Sequence, residues 1–122
     1  MEHAITSFQI PVEDMDRAVT FYSTILDYDF QAMEMGDATL AFWPSGKDIV
    51  SGGLIKHHSI SPCPSGTLIY LNAGKDLGVV LDKVDGAGGS IEIPKTSLGE
   101  GMGFFAIFRD TEGNRVGLNS PN

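Results

Sequence analysis

The sequence is poor in cysteine and in basic residues, and it contains no long apolar run. Its single cysteine, Cys63, has no intrachain partner, so one chain can form neither a disulfide nor a Cys-x-x-Cys metal or redox pair. Pro62 and Pro64 flank it, the setting of a linker. Eight Lys and Arg stand against sixteen Asp and Glu, a formal charge of −8. That balance repels phosphate backbones and anionic lipid headgroups, so neither nucleic acid nor a membrane is an expected partner. No stretch approaches the ~18 apolar residues of a bilayer-spanning helix, and Met1-Glu2-His3-Ala4 lacks the basic and then apolar segments of a secretory signal. The expected location is therefore cytoplasmic.

What is present is 122 residues, 42% of them hydrophobic, enough for one domain with one core and no covalent staple. A faint internal repeat runs through them. Met15, Ala18, Val19 and Tyr22 stand at i, i+3, i+4, i+7, and Leu77, Val80, Leu81 and Val84 repeat that spacing 62 residues later. Each set predicts an amphipathic helix. Asp14 and Asp76 stand ready as N-caps, and Gly86, Gly88 and Gly89 supply a stop for the second helix.

A strand-like run precedes each helix, Ile5 to Val12 and Thr67 to Asn72. Three more follow the first helix: Asp29 to Met33, Thr39 to Trp43 and, after a Ser45-Gly46-Lys47-Asp48 turn, Gly53 to His57. After the second come Ser90 to Ile93, Gly103 to Phe108, a turn at Asp110 to Asn114, and Arg115 to Asn119. The order is βαβββ twice: a module over residues 1–58, a linker over 59–66, and a module over 67–122. One helix per module cannot cover both faces of the strands, which predicts an α+β fold with a cupped, largely antiparallel eight-stranded sheet.

The segment IPVEDMDRAVTFY from Ile10 to Tyr22, followed by a loop and a strand, resembles the opening of the vicinal oxygen chelate superfamily. That superfamily includes glyoxalase I, bleomycin-resistance proteins and extradiol dioxygenases. FAIFRDTEGNRVGL, from Phe105 to Leu118, resembles its closing hairpin, usually written D-P-x-G-N, with Thr111 in place of the proline. The resemblance covers nearly the whole chain. It implies paired βαβββ modules with a site on the concave face, and a homodimer, but it does not choose among the chemistries the fold hosts.

Metal-dependent members take one His or Glu from the first and last strand of each module. The resemblance places these positions at Ser7, Thr67, Ile55 and Gly117, where no imidazole, carboxylate or thiolate stands. No metal or other cofactor is therefore expected there. His57 and His58 are adjacent, and on a strand neighbours point to opposite faces. The pair reads as exposed or loop-stabilising, with a pocket hydrogen bond from one ring or a metal role as the alternatives.

Other constellations carry less. Ser7, His57 and an aspartate lack the G-x-S-x-G elbow of a nucleophilic serine, and Gly101-Met102-Gly103 precedes a strand, not a phosphate-binding helix. Glu13-Asp14 and Asp27/Asp29 read as caps and turns. With Ser7 facing inward, alternation gives the concave face Ile5, Ser7 and Gln9; Ile55 and His57; Thr67, Ile69 and Leu71; and Arg115, Gly117 and Asn119. Phe42, Trp43, Phe104, Phe105 and Phe108 divide between cup and core, and Lys95 and Glu100 could edge a lid. The candidate ligand-binding residues are Ser7, Gln9, Trp43, His57, Thr67 and Asn119, with no catalytic residue assigned. Three functions follow. One is metal-free binding of a small apolar or aromatic molecule. A second is an enzyme related to lactoylglutathione lyase, a lyase or dioxygenase, acting through Gln9, His57 or Glu100 or through a metal held elsewhere. A third is a regulatory or interaction domain whose cup is filled by its own side chains.

Overall fold

Residues 3–122 are described by the structure, a computed structural model. The elements follow as β1 (Ser7–Pro11), α1 (Met15–Leu26), β2 (Ala32–Met35), β3 (Ala38–Phe42), β4 (Ser51–Lys56), β5 (Tyr70–Asn72), α2 (Gly78–Leu81), β6 (Ser90–Ser97), β7 (Phe104–Arg109) and β8 (Arg115–Ser120). The repeated βαβββ order is as the sequence implies. The strands, however, form two four-stranded sheets, β1-β4-β3-β2 and β5-β8-β7-β6, instead of one continuous eight-stranded ladder. In each, the first strand of the module runs parallel to the last, β1 to β4 and β5 to β8, and the other pairs are antiparallel. The free side of β1 faces a cleft of about 430 Å³, lined across from it by residues of the 61–69 segment and by Asn114 to Val116. The prolines of that segment cannot donate ladder hydrogen bonds, so it is a poor strand to bridge the two sheets.

Helix α1 forms where the periodicity places it. Asp14 Oδ1 accepts from the Arg17 amide at 3.1 Å, and the helix ends at Asp27, which adopts the left-handed conformation (φ 51°). Its buried face is wider than the predicted stripe, comprising Met15, Ala18, Phe21, Tyr22 and Ile25, with Val19 only half-buried. The helix touches both halves of the chain: Tyr22 lies 5.7 Å from Trp43 and Phe21 lies 5.9 Å from Phe108, ring centroid to centroid. α2 is a single turn where a longer helix is expected. Leu77, Val80, Leu81 and Val84 are all buried, but after Leu81 the chain winds through i→i−3 bonds such as Lys83 N to Val80 O and Val84 N to Leu81 O. Gly78 and the β-branched pair Val79-Val80 are weak helix formers. No helix is long and apolar enough to cross a membrane among the described residues.

Buried apolar residues from both halves, among them Ile10, Phe21, Leu54, Leu71, Leu77, Phe108 and Leu118, form one contiguous cluster. All of it lies on the helix side of the sheets. Leu40, Ile55 and Ile107 are also buried but stand outside that cluster, on the opposite, helix-free faces.

A polar tie joins the halves. In the turn after β7, Asp110 Oδ1 accepts the amides of Glu112 and Asn114 at 2.9 Å each, while Oδ2 accepts the buried Tyr22 hydroxyl at 2.7 Å. Gly113 sits at φ 91°, a conformation that a side chain would strain. Asn114 Nδ2 donates to the Pro11 carbonyl at 2.7 Å. The Glu112 carboxylate, whose side chain has no exposure, accepts Arg17 Nε at 2.7 Å and the Glu13 and Asp14 amides at 2.8 Å each. Thr111, in the place of the usual proline, donates its hydroxyl to the same carboxylate at 2.9 Å. Burial alone would push the Glu112 carboxyl up; the hydrogen bonds from Arg17, the Asp14 amide, Thr111 and the Glu13 amide outweigh it and bring the group down to about 2. Burial, and then the charge and hydrogen bond of Asp110, push the Tyr22 hydroxyl well above its ordinary range.

A carboxyl held below its unfolded value stabilises the fold above that value, and the contribution is lost as pH falls toward the folded one. Between pH 7 and pH 3 the wild type should therefore lose about 2 kcal/mol more of its unfolding free energy than Glu112→Gln. Urea denaturation at the two pH values measures this. An equal loss in both proteins would sink the assignment.

Candidate functional site

The helix-free faces carry the features that a binding site needs, and the strand register shows how they arise. Gln9 pairs with Gly53 and Ile10 with Leu54 in module 1; Tyr70 pairs with Gly117 and Leu71 with Leu118 in module 2. Ile10, Leu54, Leu71 and Leu118 all belong to the core, so the paired Gln9/Gly53 and Tyr70/Gly117 sit on the helix-free faces. Each glycine is covered by an aromatic ring. A Cβ built on Gly117 would lie 2.3 Å from Tyr70 Cδ1, and one on Gly53 would lie 3.0 Å from the Ala41 carbonyl oxygen and 3.2 Å from Phe42 Cδ1. Tyr70 and Phe42 remain 44% and 41% exposed, so both rings lie low on their sheets with one side open. Tyr70 lines a concavity of about 760 Å³ with Asn72, Asn119 and the 97–103 loop. Phe42 lines one of about 300 Å³ with Ser7, Gln9 and Trp43.

The six sequence-predicted residues are not brought together. Ser7 and Gln9 are exposed on β1 and line two neighbouring concavities, one of them shared with Thr67 and the other with Trp43. Trp43 itself turns toward the helix side, its ring centroid 5.2 Å from Phe8 and 4.8 Å from Phe30. Asn119 lies in the concavity of about 760 Å³, where its amide also donates to the Phe104 carbonyl at 3.3 Å. His57 stands past the far end of β4 and binds Asp37 and Ser59. Lys95 is no lid edge: it lies within β6, pairs with Asp76 at 2.9 Å and sits over the Phe104 ring. Glu100 does line the concavity of about 760 Å³.

Alternation in β5 is the reverse of the expected one. Leu71 is 5% exposed and in the core, with Ile69 packed against it, while Tyr70 and Asn72 take the helix-free face. Counting inward from Thr67 hid Tyr70; the signal that could have found it is the bare Gly117 opposite, which leaves room for a ring.

A family profile described as Glyoxalase/Bleomycin resistance protein/Dioxygenase superfamily matches residues 4–118. The chain belongs to this superfamily. A glyoxylase-like domain-containing protein of Didymella fabae is 32% identical over 114 residues, spanning 90% of this chain and 88% of that one. Among solved structures, a glyoxalase I mutant from Zea mays superimposes with a TM-score of 0.72 at 19% identity, covering 94% of this chain but 45% of the maize chain. The chain thus spans just under half of that enzyme. TnmS3, an antibiotic-binding protein from Streptomyces sp. CB03234, superimposes with a TM-score of 0.69 at 25% identity, covering 100% of this chain and 98% of that one.

The residues at the superfamily's metal positions do not fit a divalent ion. The pairing register corrects two of those positions: Gly53, not Ile55, corresponds to Gly117, and Ile55 corresponds to Asn119. In the first strands, Ser7 stands two residues before Gln9 as Leu68 stands two before Tyr70, so Leu68 replaces Thr67 as its counterpart. Under either assignment the positions offer only hydroxyl, glycine and hydrocarbon, and no imidazole, carboxylate or thiolate. At Gly117 the Tyr70 ring fills the space where a ligand side chain would begin.

If that ring is what requires glycine, Gly117→Ala should destabilise the chain by about 1–2 kcal/mol in the presence of Tyr70 and by much less in a Tyr70→Ala background. A double-mutant cycle by chemical denaturation gives the coupling. Equal costs in both backgrounds would mean that another contact holds position 117.

Proposed function

We propose that this protein binds a small, largely apolar or aromatic molecule against its helix-free sheet faces, without the superfamily's divalent metal, and that two copies together enclose it. The observation that carries the reading is the pairing of Tyr70 with Gly117 and Phe42 with Gly53. At corresponding places in the two modules a donor-bearing side chain is absent and a half-exposed ring lies over the bare backbone. Flat rings of this kind hold apolar and aromatic molecules by stacking and burial, while Gln9, Asn72 and Asn119 stand nearby as orienting hydrogen-bond groups.

TnmS3, an antibiotic-binding protein alike along its whole length, supports the binding of a small molecule. The lyase or dioxygenase alternative has less behind it, since nothing at the metal positions would polarise a substrate oxygen. A regulatory domain with a self-filled cup fits poorly with concavities of about 300 and 760 Å³. A second copy is supported by Met33 and Met35, 52% and 53% exposed, which share the helix-free face of the first sheet with Phe42 and Leu40 through the register Met33↔Leu40 and Met35↔Ala38. They lie on an edge strand, and exposed apolar surface there favours association.

The test is a titration of EDTA-dialysed protein with a panel of planar aromatic compounds, including neutral polycyclic antibiotics, read through Trp43, the one tryptophan. Saturable binding should persist without metal and weaken about tenfold in Tyr70→Ala and in Phe42→Ala, with circular dichroism unchanged. Binding that requires added metal, or that neither substitution moves, would overturn the proposal. Sedimentation should show a dimer that Met33→Lys dissociates; a wild-type monomer at all concentrations would remove the second copy from the scheme.

A further inference from the structure

The geometry points to a divalent transition-metal site, of the kind Zn²⁺ occupies, formed by Asp37, His57 and His58 at the end of the first sheet. It is separate from the glycine-and-ring floor described above. Asp37 lies in the turn between β2 and β3, and the antiparallel register, continued two residues beyond the Thr39↔Lys56 pair, sets Asp37 opposite His58. The two histidines do not diverge as strand neighbours would, because β4 ends at Lys56. The chain then reverses through a bridge between His57 and Ile60, with Ile60 N donating to His57 O at 3.1 Å. Both rings thereby come to one side, with centroids 4.1 Å apart and planes inclined by 35°.

One donor atom from each residue falls within a 4.8 Å cluster. His57 Nε2 is 2.9 Å from Asp37 Oδ2, and His58 Nδ1 is 3.8 Å from the same oxygen. Donors around a tetrahedral zinc stand about 3.3 Å apart, so a small swing of the exposed His58 ring completes the set. The His57 ring is held in place: its Nδ1 accepts the Ser59 amide at 3.1 Å and lies 2.7 Å from Ser59 Oγ, so an ion at Nε2 shifts the ring proton to Nδ1, where Ser59 Oγ can accept it. Two imidazoles and one carboxylate suit Zn²⁺, Co²⁺ and Ni²⁺ and leave positions open for water or a further ligand. The cluster opens into a concavity of about 360 Å³ that Glu13, Thr39 and Lys56 also line. An ion bound here ties the β2–β3 turn to the end of β4 and the start of the 59–66 segment.

The test uses untagged, EDTA-dialysed full-length protein and Zn²⁺ alone, followed by titration calorimetry, with Co²⁺ absorption as a report on coordination. One ion per chain should bind, at least tenfold more weakly in each of Asp37→Asn, His57→Gln and His58→Gln, and unchanged in His3→Gln. Zn²⁺ should raise the melting temperature of the wild type and not that of His58→Gln, a variant that removes a 76%-exposed side chain and leaves the His57 hydrogen bonds in place. No uptake, binding only at millimolar Zn²⁺, or affinity indifferent to the three substitutions would overturn the assignment. The aromatic titration proposed above is run without metal on a different face, so either result can fail while the other stands.

Discussion

The Glu112 carboxylate is the contact on which the arrangement of the two modules depends. It belongs to the second module yet accepts two amides and a guanidinium from the junction between β1 and α1 in the first. A side chain with no exposure that carries charge must have every lone pair answered, and here Arg17, Glu13, Asp14 and Thr111 answer them. Asp110 and Asn114, from the same turn, fasten Tyr22 and the Pro11 carbonyl. The entry to α1 is thus set from the far half of the chain, and with it the angle at which Phe21 and Tyr22 enter the shared core.

Because the helices and this tie gather on one side, the opposite faces of both sheets are left uncovered. Leu40, Ile55 and Ile107 are buried there, but the space above Gly53 and Gly117 is taken by Phe42 and Tyr70. A glycine under an aromatic ring does two things at once. It lets the ring lie close to the backbone, and it removes the position from which a metal-binding side chain would project. Glycine at these two places therefore accounts both for the room the rings occupy and for the missing side-chain donor there.

Much of this was legible in the residues. The repeated βαβββ order, the Asp14 cap, the burial of Met15, Ala18 and Tyr22 on α1 and the absence of imidazole, carboxylate or thiolate at Ser7 and Gly117 all follow from local periodicity and residue chemistry. The failures share a mechanism. Assigning faces in β5 from Thr67 puts Ile69 and Leu71 in the cup and leaves Tyr70 out of it, because the strand begins only at Tyr70 and alternation counted from a non-strand residue starts on the wrong foot. A fixed 62-residue offset between modules misplaced the partner of Gly117, since the insertions separating strands differ between the halves. Strand alternation continued through His57 and His58 would make them diverge; the turn at Ile60 brings them together.

What the sequence determined by itself is whatever depends on neighbours within a few residues: the order of strand and helical segments, where α1 starts, and which residue types stand at each position. What only the tertiary structure decided is whatever depends on register between distant strands. The division into two sheets, the placing of Tyr70 over Gly117, the burial of Glu112 among the amides of another module and the meeting of Asp37 with two histidines all turn on which residue stands opposite which. A shift of one position in a strand reverses every face it presents, and no local pattern records that choice.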